Sequence, residues 1–196
     1  RHNLIQDVSN LVFRMVVKEA RSLSEKFNVF ISINVSSQDL LSESFQRKVF
    51  QMIDELNIKP GMIMMELTER QSADLNSLQK VISLFNDKGI SIAIDDFGTG
   101  YSNLNWLSSL QIDEIKIDKS ITDSIDEYSI SNNLLSGLVE IFKDITHKVV
   151  FEGVETSTQV NYLTEMFPEC GVQGWYYSKP LSIDKLTKLV EDANLP

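Results

Sequence analysis

Histidine is almost missing from this chain: of 196 residues only His2 and His147 qualify, one at the very start and one just before a strand-like run. That scarcity leaves no histidine-based zinc site and no Ser-His or Cys-His nucleophile pair. Cysteine is rarer still. Cys170 stands alone, so no internal disulfide can form, which fits a reducing compartment. No apolar run approaches the roughly 18 residues of a membrane span, and no signal peptide is visible. Positive charge is also short. Lys and Arg number 18 against 28 acids, a net charge of −10, which argues against DNA or RNA grooves and anionic membrane surfaces as partners. An anionic substrate would therefore need metal ions. Methionine is missing at the first position, Arg1, and the chain reads as a piece of something longer.

What is present suffices for a packed core. At 42% hydrophobic, with no low-complexity linker, the chain is expected to form one globular domain over residues 1–196. Apolar residues at helical spacing predict a helix from about Leu4 to Lys26, and Val29 to Val35 reads as a parallel strand buried on both faces. Ser36 or Ser37 should cap a helix reaching about Asn57, broken by Pro60-Gly61. A strand is expected from Met62 to Thr68, then a helix from about Leu75 to Lys88 with Gly89 as a left-handed stop. Further strands are expected after Ile90, at Glu114 to Asp118, Val149 to Val154 and Gly171 to Tyr177. Helices fall between them, near Leu104 to Leu110, Ile130 to Ile145 and Thr156 to Phe167, and Ser182 should cap a last one.

Six strands alternating with helices argue for a parallel α/β fold, and the polar residues decide which kind. Asn34, Glu66, Asp95 with Asp96, Lys116, Glu152 and Gln173 all lie at the ends of their strands or just beyond. Such ends gather on one face of a parallel barrel, whereas an open doubly wound sheet brings only one or two strands to a ligand. The expected fold is thus a (β/α)8 TIM-type barrel, N-terminally incomplete with six strands visible.

The centre of the pattern is Ile90 to Asn103, where alternating isoleucines run into Asp95, Asp96 and a glycine loop. One reading makes an aspartate a helix cap; the other makes the pair a site for cations. Converging carboxylates repel unless cations sit among them, and oxygen-rich ligands suit Mg²⁺ or Mn²⁺. Two adjacent aspartates can bridge two ions of the kind that activate water against a phosphodiester. Lys116 would add positive charge for hydroxide or phosphate, or simply hold ion pairs. Glu152 could ligate metal, act as base, or cap its strand end. Glu69 and Glu155, each three residues beyond an inward carboxylate, read as holders of loops, and Gln173 as a substrate contact or a partner for backbone. The Asp-Phe-Gly triplet has no other kinase signature beside it, and the glycine spacing fits neither a P-loop nor a dinucleotide fingerprint.

Taken together, N-V-S at Asn34, E-L-T-E at Glu66, D-D-F-G-T-G-Y-S at Asp95, K-I-D at Lys116, E-G-V-E at Glu152 and Q-G at Gln173 resemble the EAL domain family of cyclic di-GMP phosphodiesterases. Order and spacing match along nearly the whole chain. The resemblance implies hydrolysis of cyclic di-GMP to the linear dinucleotide pGpG with two ions of Mg²⁺ or Mn²⁺. It implies Asn34, Glu66 and Asp95 as ligands of one ion, and Asp95, Asp96 and Glu152 as the environment of the second. Lys116 would orient water or phosphate, Glu152 would be the base, Glu69 and Glu155 would order the glycine loop, and Gln173 would bind substrate. It further implies a cytoplasmic domain, alone or as part of a membrane-anchored protein, fused to sensor or regulatory domains, and it allows a homodimer. The Glu-Ala-Leu motif that names the family does not occur in these residues, Phe151 replaces its usual alanine, and Ile121 replaces an aromatic. Two further strands, the second ending in a glutamate, are expected before Arg1. The alternative function is a catalytically impaired cyclic di-GMP receptor or scaffold.

Overall fold

The computed structural model describes residues 2–24, 27, 29–68, 74–99, 104–125, 130–143 and 148–192. The chain divides into two compact units. The first comprises residues 1–67, 71–92 and 181–196, and the second residues 68–70 and 93–180.

In the first unit, helix α1 (His2–Ser24) buries Phe13, Val17 and Ala20, a 3- and 4-residue spacing that puts them on one face. Phe13 meets Phe45 edge-on, with ring centroids 6.1 Å apart. Strand β1 (Ile31–Val35) pairs in parallel with β2 (Ile63–Thr68), and Asn34 lies in register with Glu66. All of Ile63 to Leu67 is buried, as a strand covered on both faces requires. Met65 and Leu67 are each fully enclosed, and such burial contributes roughly 1.5–3 kcal/mol per side chain.

Three features depart from the sequence reading here. β1 starts at Ile31 rather than Val29, and it alternates: Ser32 and Asn34 are exposed while Ile33 and Val35 are buried. Among the described strands it pairs with β2 alone. The helix expected up to Asn57 is two helices, α2 (Ser37–Leu41) and α3 (Glu43–Leu56). Ser36 and Ser42 each cap one of them by accepting a backbone N–H, and the second cap stops the first helix from continuing. Helix α3 buries Phe45, Val49 and Ile53 and ends at Asn57 in the left-handed conformation. Helix α4 (Leu75–Asp87), capped by Asp74, buries Leu78, Ile82 and Phe85. Gly89 follows with φ 74°, where a side chain would meet Pro60 Cβ at 2.6 Å.

The second unit holds residues 93–97 of β3 (Ser91–Phe97), then β4 (Glu114–Ile117), β5 (Lys148–Phe151) and β6 (Gly171–Val172), paired in parallel in chain order. Between them lie α5 (Leu104–Ser109), α6 (Lys119–Thr122), α7 (Ile130–Lys143) and α8 (Ser157–Met166). Phe97 packs edge-on against Phe142 at 4.8 Å, and Phe151 stacks on Phe167 at 5.5 Å. The strand expected through Tyr177 stops at Val172, because the chain turns at Gly174. A Cβ at Gly174 would land on the backbone of Val154, so only glycine permits this approach. The last helix, α9 (Ile183–Asp192), belongs to the first unit.

Candidate active site

A regular strand sends neighbouring side chains to opposite faces, which would separate Asp95 from Asp96. Here the backbone breaks that rule. Asp96 adopts φ 58°, and the β3–β4 register shifts between Ile94 and Phe97. Aspartate tolerates this left-handed conformation better than most residues, at a cost of about 1 kcal/mol. Its result is convergence: carboxylate oxygens of Asp95, Asp96 and Glu152 all lie within 4.8 Å of one another.

Lys116 comes from the middle of β4, every residue of which is buried. Its ammonium stands 2.6 Å from Glu152 Oε1 and 3.5 Å from Asp95 Oδ1, and its side chain is only 4% exposed. The lysine thus sits between two acids with little water to screen them. Glu152 follows β5 directly and is held there by its N–H, which donates to the Ile117 carbonyl at 2.9 Å. At the opposite end of the same strands, Glu114 pairs with Lys148 at 2.9 Å, which neutralises the second buried charge of β4 away from the site.

The remaining expected residues fall as follows. Asn34 is exposed on β1 and lines a hollow of about 120 Å³ with Val8, Val12 and Phe45. Glu66 is buried on β2, beside Asn34 in the register. Glu69 lies outside the described residues. Glu155 accepts a hydrogen bond from Lys119 of α6, and this bond is the main reason that the lysine's pKa stands above its ordinary value. Gln173 is exposed; its N–H donates to the Phe151 carbonyl at 2.8 Å and its own carbonyl accepts from the Val154 N–H at 3.1 Å.

Two supporting residues escaped the sequence reading. Lys119 anchors Glu155, and buried Gln159 accepts from the N–H groups of Glu155 and Thr156 at 2.9 and 3.1 Å while donating to the Thr122 carbonyl at 3.3 Å. The second had a signal: the run from Thr156 to Gln159 has the capping-box form, which the structure completes.

Three carboxylates at this spacing fit a hard divalent cation, for which oxygen donors are the preferred ligands. A family model for the EAL domain matches residues 1–180. The chain belongs to the EAL domain family. Among curated relatives, this EAL domain is 36% identical to "Probable cyclic di-GMP phosphodiesterase PdeB" of Escherichia coli, over 96% of this chain and 36% of that protein. It therefore spans about a third of the length of that relative. Among solved structures, it is similar to the EAL domain of Mycobacterium smegmatis DcpA, with 28% identity, a TM-score of 0.86, and coverage of 94% of this chain and 84% of that one. The PaMucR phosphodiesterase, solved as a complex with c-di-GMP, gives 26% identity and a TM-score of 0.83, covering 94% of this chain and 76% of its own. The fold class is accordingly the TIM-barrel-like α/β fold of EAL domains, with six strands among the described residues. No described helix is long and apolar enough to cross a membrane.

Proposed function

We propose that this EAL domain hydrolyses cyclic di-GMP to linear pGpG with Mg²⁺ or Mn²⁺, two ions being engaged. The observation that carries this reading is the Asp95–Asp96–Glu152 cluster with Lys116 buried against it. A bare receptor site gains nothing from forcing Asp96 into a left-handed conformation to gather carboxylates. Asp95, Asp96 and Glu152 would hold metal, and Asn34 and Glu66 are further oxygen ligands by family resemblance. When bound, the metal supplies Lewis-acid charge that favours a hydroxide nucleophile and stabilises a phosphoryl oxygen. Lys116 fixes the Glu152 and Asp95 carboxylates and offers positive charge to a phosphate. Glu152 accepts the proton of the attacking water, its oxygen aligned by Lys116. Glu155, tied to Lys119 and Gln159, holds the loop that follows Glu152, and by family resemblance Glu69 has a role in ordering the glycine loop. Gln173 contacts substrate. The length of the relatives supports fusion to sensor or regulatory domains, and the family and its substrate support a cytoplasmic place for this domain.

The test is turnover of cyclic di-GMP, with pGpG as the product, in Mg²⁺ or Mn²⁺ and none in chelator. Undiminished hydrolysis in chelator would refute the metal role. Tight binding without turnover in either metal would favour the receptor or scaffold reading.

A further inference from the structure

Two glycines at positive φ flank the acidic cluster: Gly98, two residues after Asp96, at φ 105°, and Gly153, directly after Glu152, at φ 66°. Both pack against one short helix, α6. A Cβ at Gly98 would coincide with Ile121 Cδ1 and lie 3.1 Å from its Cγ1. A Cβ at Gly153 would run into the Lys119 stem, 2.6 Å from its Cβ and 2.7 Å from its Cδ. The helix is held in turn. Asp118 caps it by accepting the Ser120 N–H at 2.9 Å, and the carbonyl of fully buried Thr122 accepts from Gln159 Nε2 at 3.3 Å. The Asp118 N–H donates to the Phe97 carbonyl at 3.1 Å and the Glu152 N–H to the Ile117 carbonyl at 2.9 Å, so α6 begins where both carboxylate-bearing turns leave the sheet.

We propose that Ile121 is a positioning residue for the divalent cation: its Cδ1 holds Gly98, and through it the Asp95–Asp96 turn, at the separation from Glu152 that keeps the three carboxylates within 4.8 Å of one another. This deepens the metal-dependent reading and rests on it. The link from Ile121 to the cluster is short. The Asp96 carbonyl accepts from the N–H and the Oγ1 of Thr99, at 3.3 and 3.1 Å, so residues 96–99 form one hydrogen-bonded turn with Gly98 inside it. A shift at Gly98 therefore moves Thr99 and alters the left-handed backbone at Asp96 that directs its carboxylate. Isoleucine suits the role because branching at Cβ restricts χ1, which confines the terminal methyl. The Lys119 stem abuts the Glu152 turn from the same helix, so both turns take their spacing from one element of four residues. Fixing that spacing beforehand reduces the rearrangement that binding an ion demands.

The experiment measures Mn²⁺ affinity by calorimetry without nucleotide, thermal unfolding in chelator, and turnover of cyclic di-GMP across an Mn²⁺ titration. Ile121→Val removes only the methyl carbon that meets Gly98. Its Mn²⁺ affinity should fall about three- to tenfold, and that of Ile121→Ala about 10- to 100-fold, the range for residues that support metal ligands. Turnover by Ile121→Val should return toward the wild-type rate at saturating Mn²⁺, since every reacting group is intact. Gly98→Ala should also weaken binding, but by less in the Ile121→Val background than in the wild type, because the vacated space accepts the new methyl. Val139→Ala, at a fully buried position of α7, is the control: it should lower the melting temperature at least as much as Ile121→Val and leave the affinity unchanged. Wild-type affinity in both Ile121 variants, additive effects of Gly98→Ala and Ile121→Val, or an equal loss of affinity in Val139→Ala would overturn the role of Ile121 while the metal-dependent reading stands. A wild type that binds neither Mn²⁺ nor Mg²⁺ would overturn that reading and the role of Ile121 together.

Discussion

Replacing Lys116 by methionine keeps the length of the stem and removes the charge. At 2.6 Å from Glu152 and 3.5 Å from Asp95, with an effective dielectric near 20, the two attractions are about 6 and about 5 kcal/mol. Most of that gross attraction offsets the desolvation of groups that are 4%, 12% and 17% exposed. The net effect of breaking such a pair is about 3–5 kcal/mol, because buried Asp95 and half-buried Glu152 lose this counter-charge. Urea denaturation in chelator should therefore show Lys116→Met less stable by that amount. Glu152→Gln in the same background should recover about half of it, since one of the two charges facing the lost ammonium is then gone. Saturating Mg²⁺ should narrow the gap between variant and wild type, while hydrolysis stays at least about a hundredfold lower. A variant within about 0.5 kcal/mol of wild type in chelator, with no coupling to Glu152, would refute the argument that this lysine compensates the Asp95 and Glu152 carboxylates.

Asp96→Gly should weaken metal binding measured by calorimetry yet leave thermal stability at or above wild type, whereas Asp96→Ala should be less stable than the glycine variant by about 1 kcal/mol, since only glycine adopts φ 58° without strain. Gly174→Ala should lower stability by about 1–3 kcal/mol in a melt, because its Cβ meets the Val154 backbone, which has no rotamer to yield. The Lys119–Glu155 bond raises the lysine's pKa, so its contribution is complete below 10.5 and is lost as pH rises through the higher folded value. An NMR titration of the Lys119 side chain should accordingly show a midpoint above 10.5 that falls toward it in Glu155→Gln.

The strand and helix order was legible because each apolar run has one period, and each run is bounded by a residue that stops it: Asn57, Gly89 and Thr156 among them. Helix α8 matched to the cap, since Thr156 and Gln159 satisfy its first N–H groups locally. The misplaced ends have non-local causes. Aromatic residues favour strands, and Trp175 to Tyr177 read as part of one, but the contact of Gly174 with Val154 imposes a turn. The split after Leu41 reflects Ser42 capping a second helix of its own, which periodicity does not register. In the candidate site, the identities of Asp95, Asp96, Lys116 and Glu152 stood out from their place at strand ends. Their gathering at one mouth was expected from the barrel, but the backbone that brings the adjacent Asp95 and Asp96 together was not, because alternation alone would have pointed the two apart. Lys119 was invisible as a partner of Glu155, since 36 residues separate them.

The irregularity at Asp96 has a bearing on protein engineering. Transplanting the two aspartates into an ordinary strand of another barrel would leave them diverging, one toward the cavity and one toward the helices. A graft must carry the kinked peptide and the slipped pairing with it, together with the neighbouring strand that tolerates the slip. Libraries that vary side chains on a fixed regular backbone would never sample this arrangement, however many acidic residues they introduce.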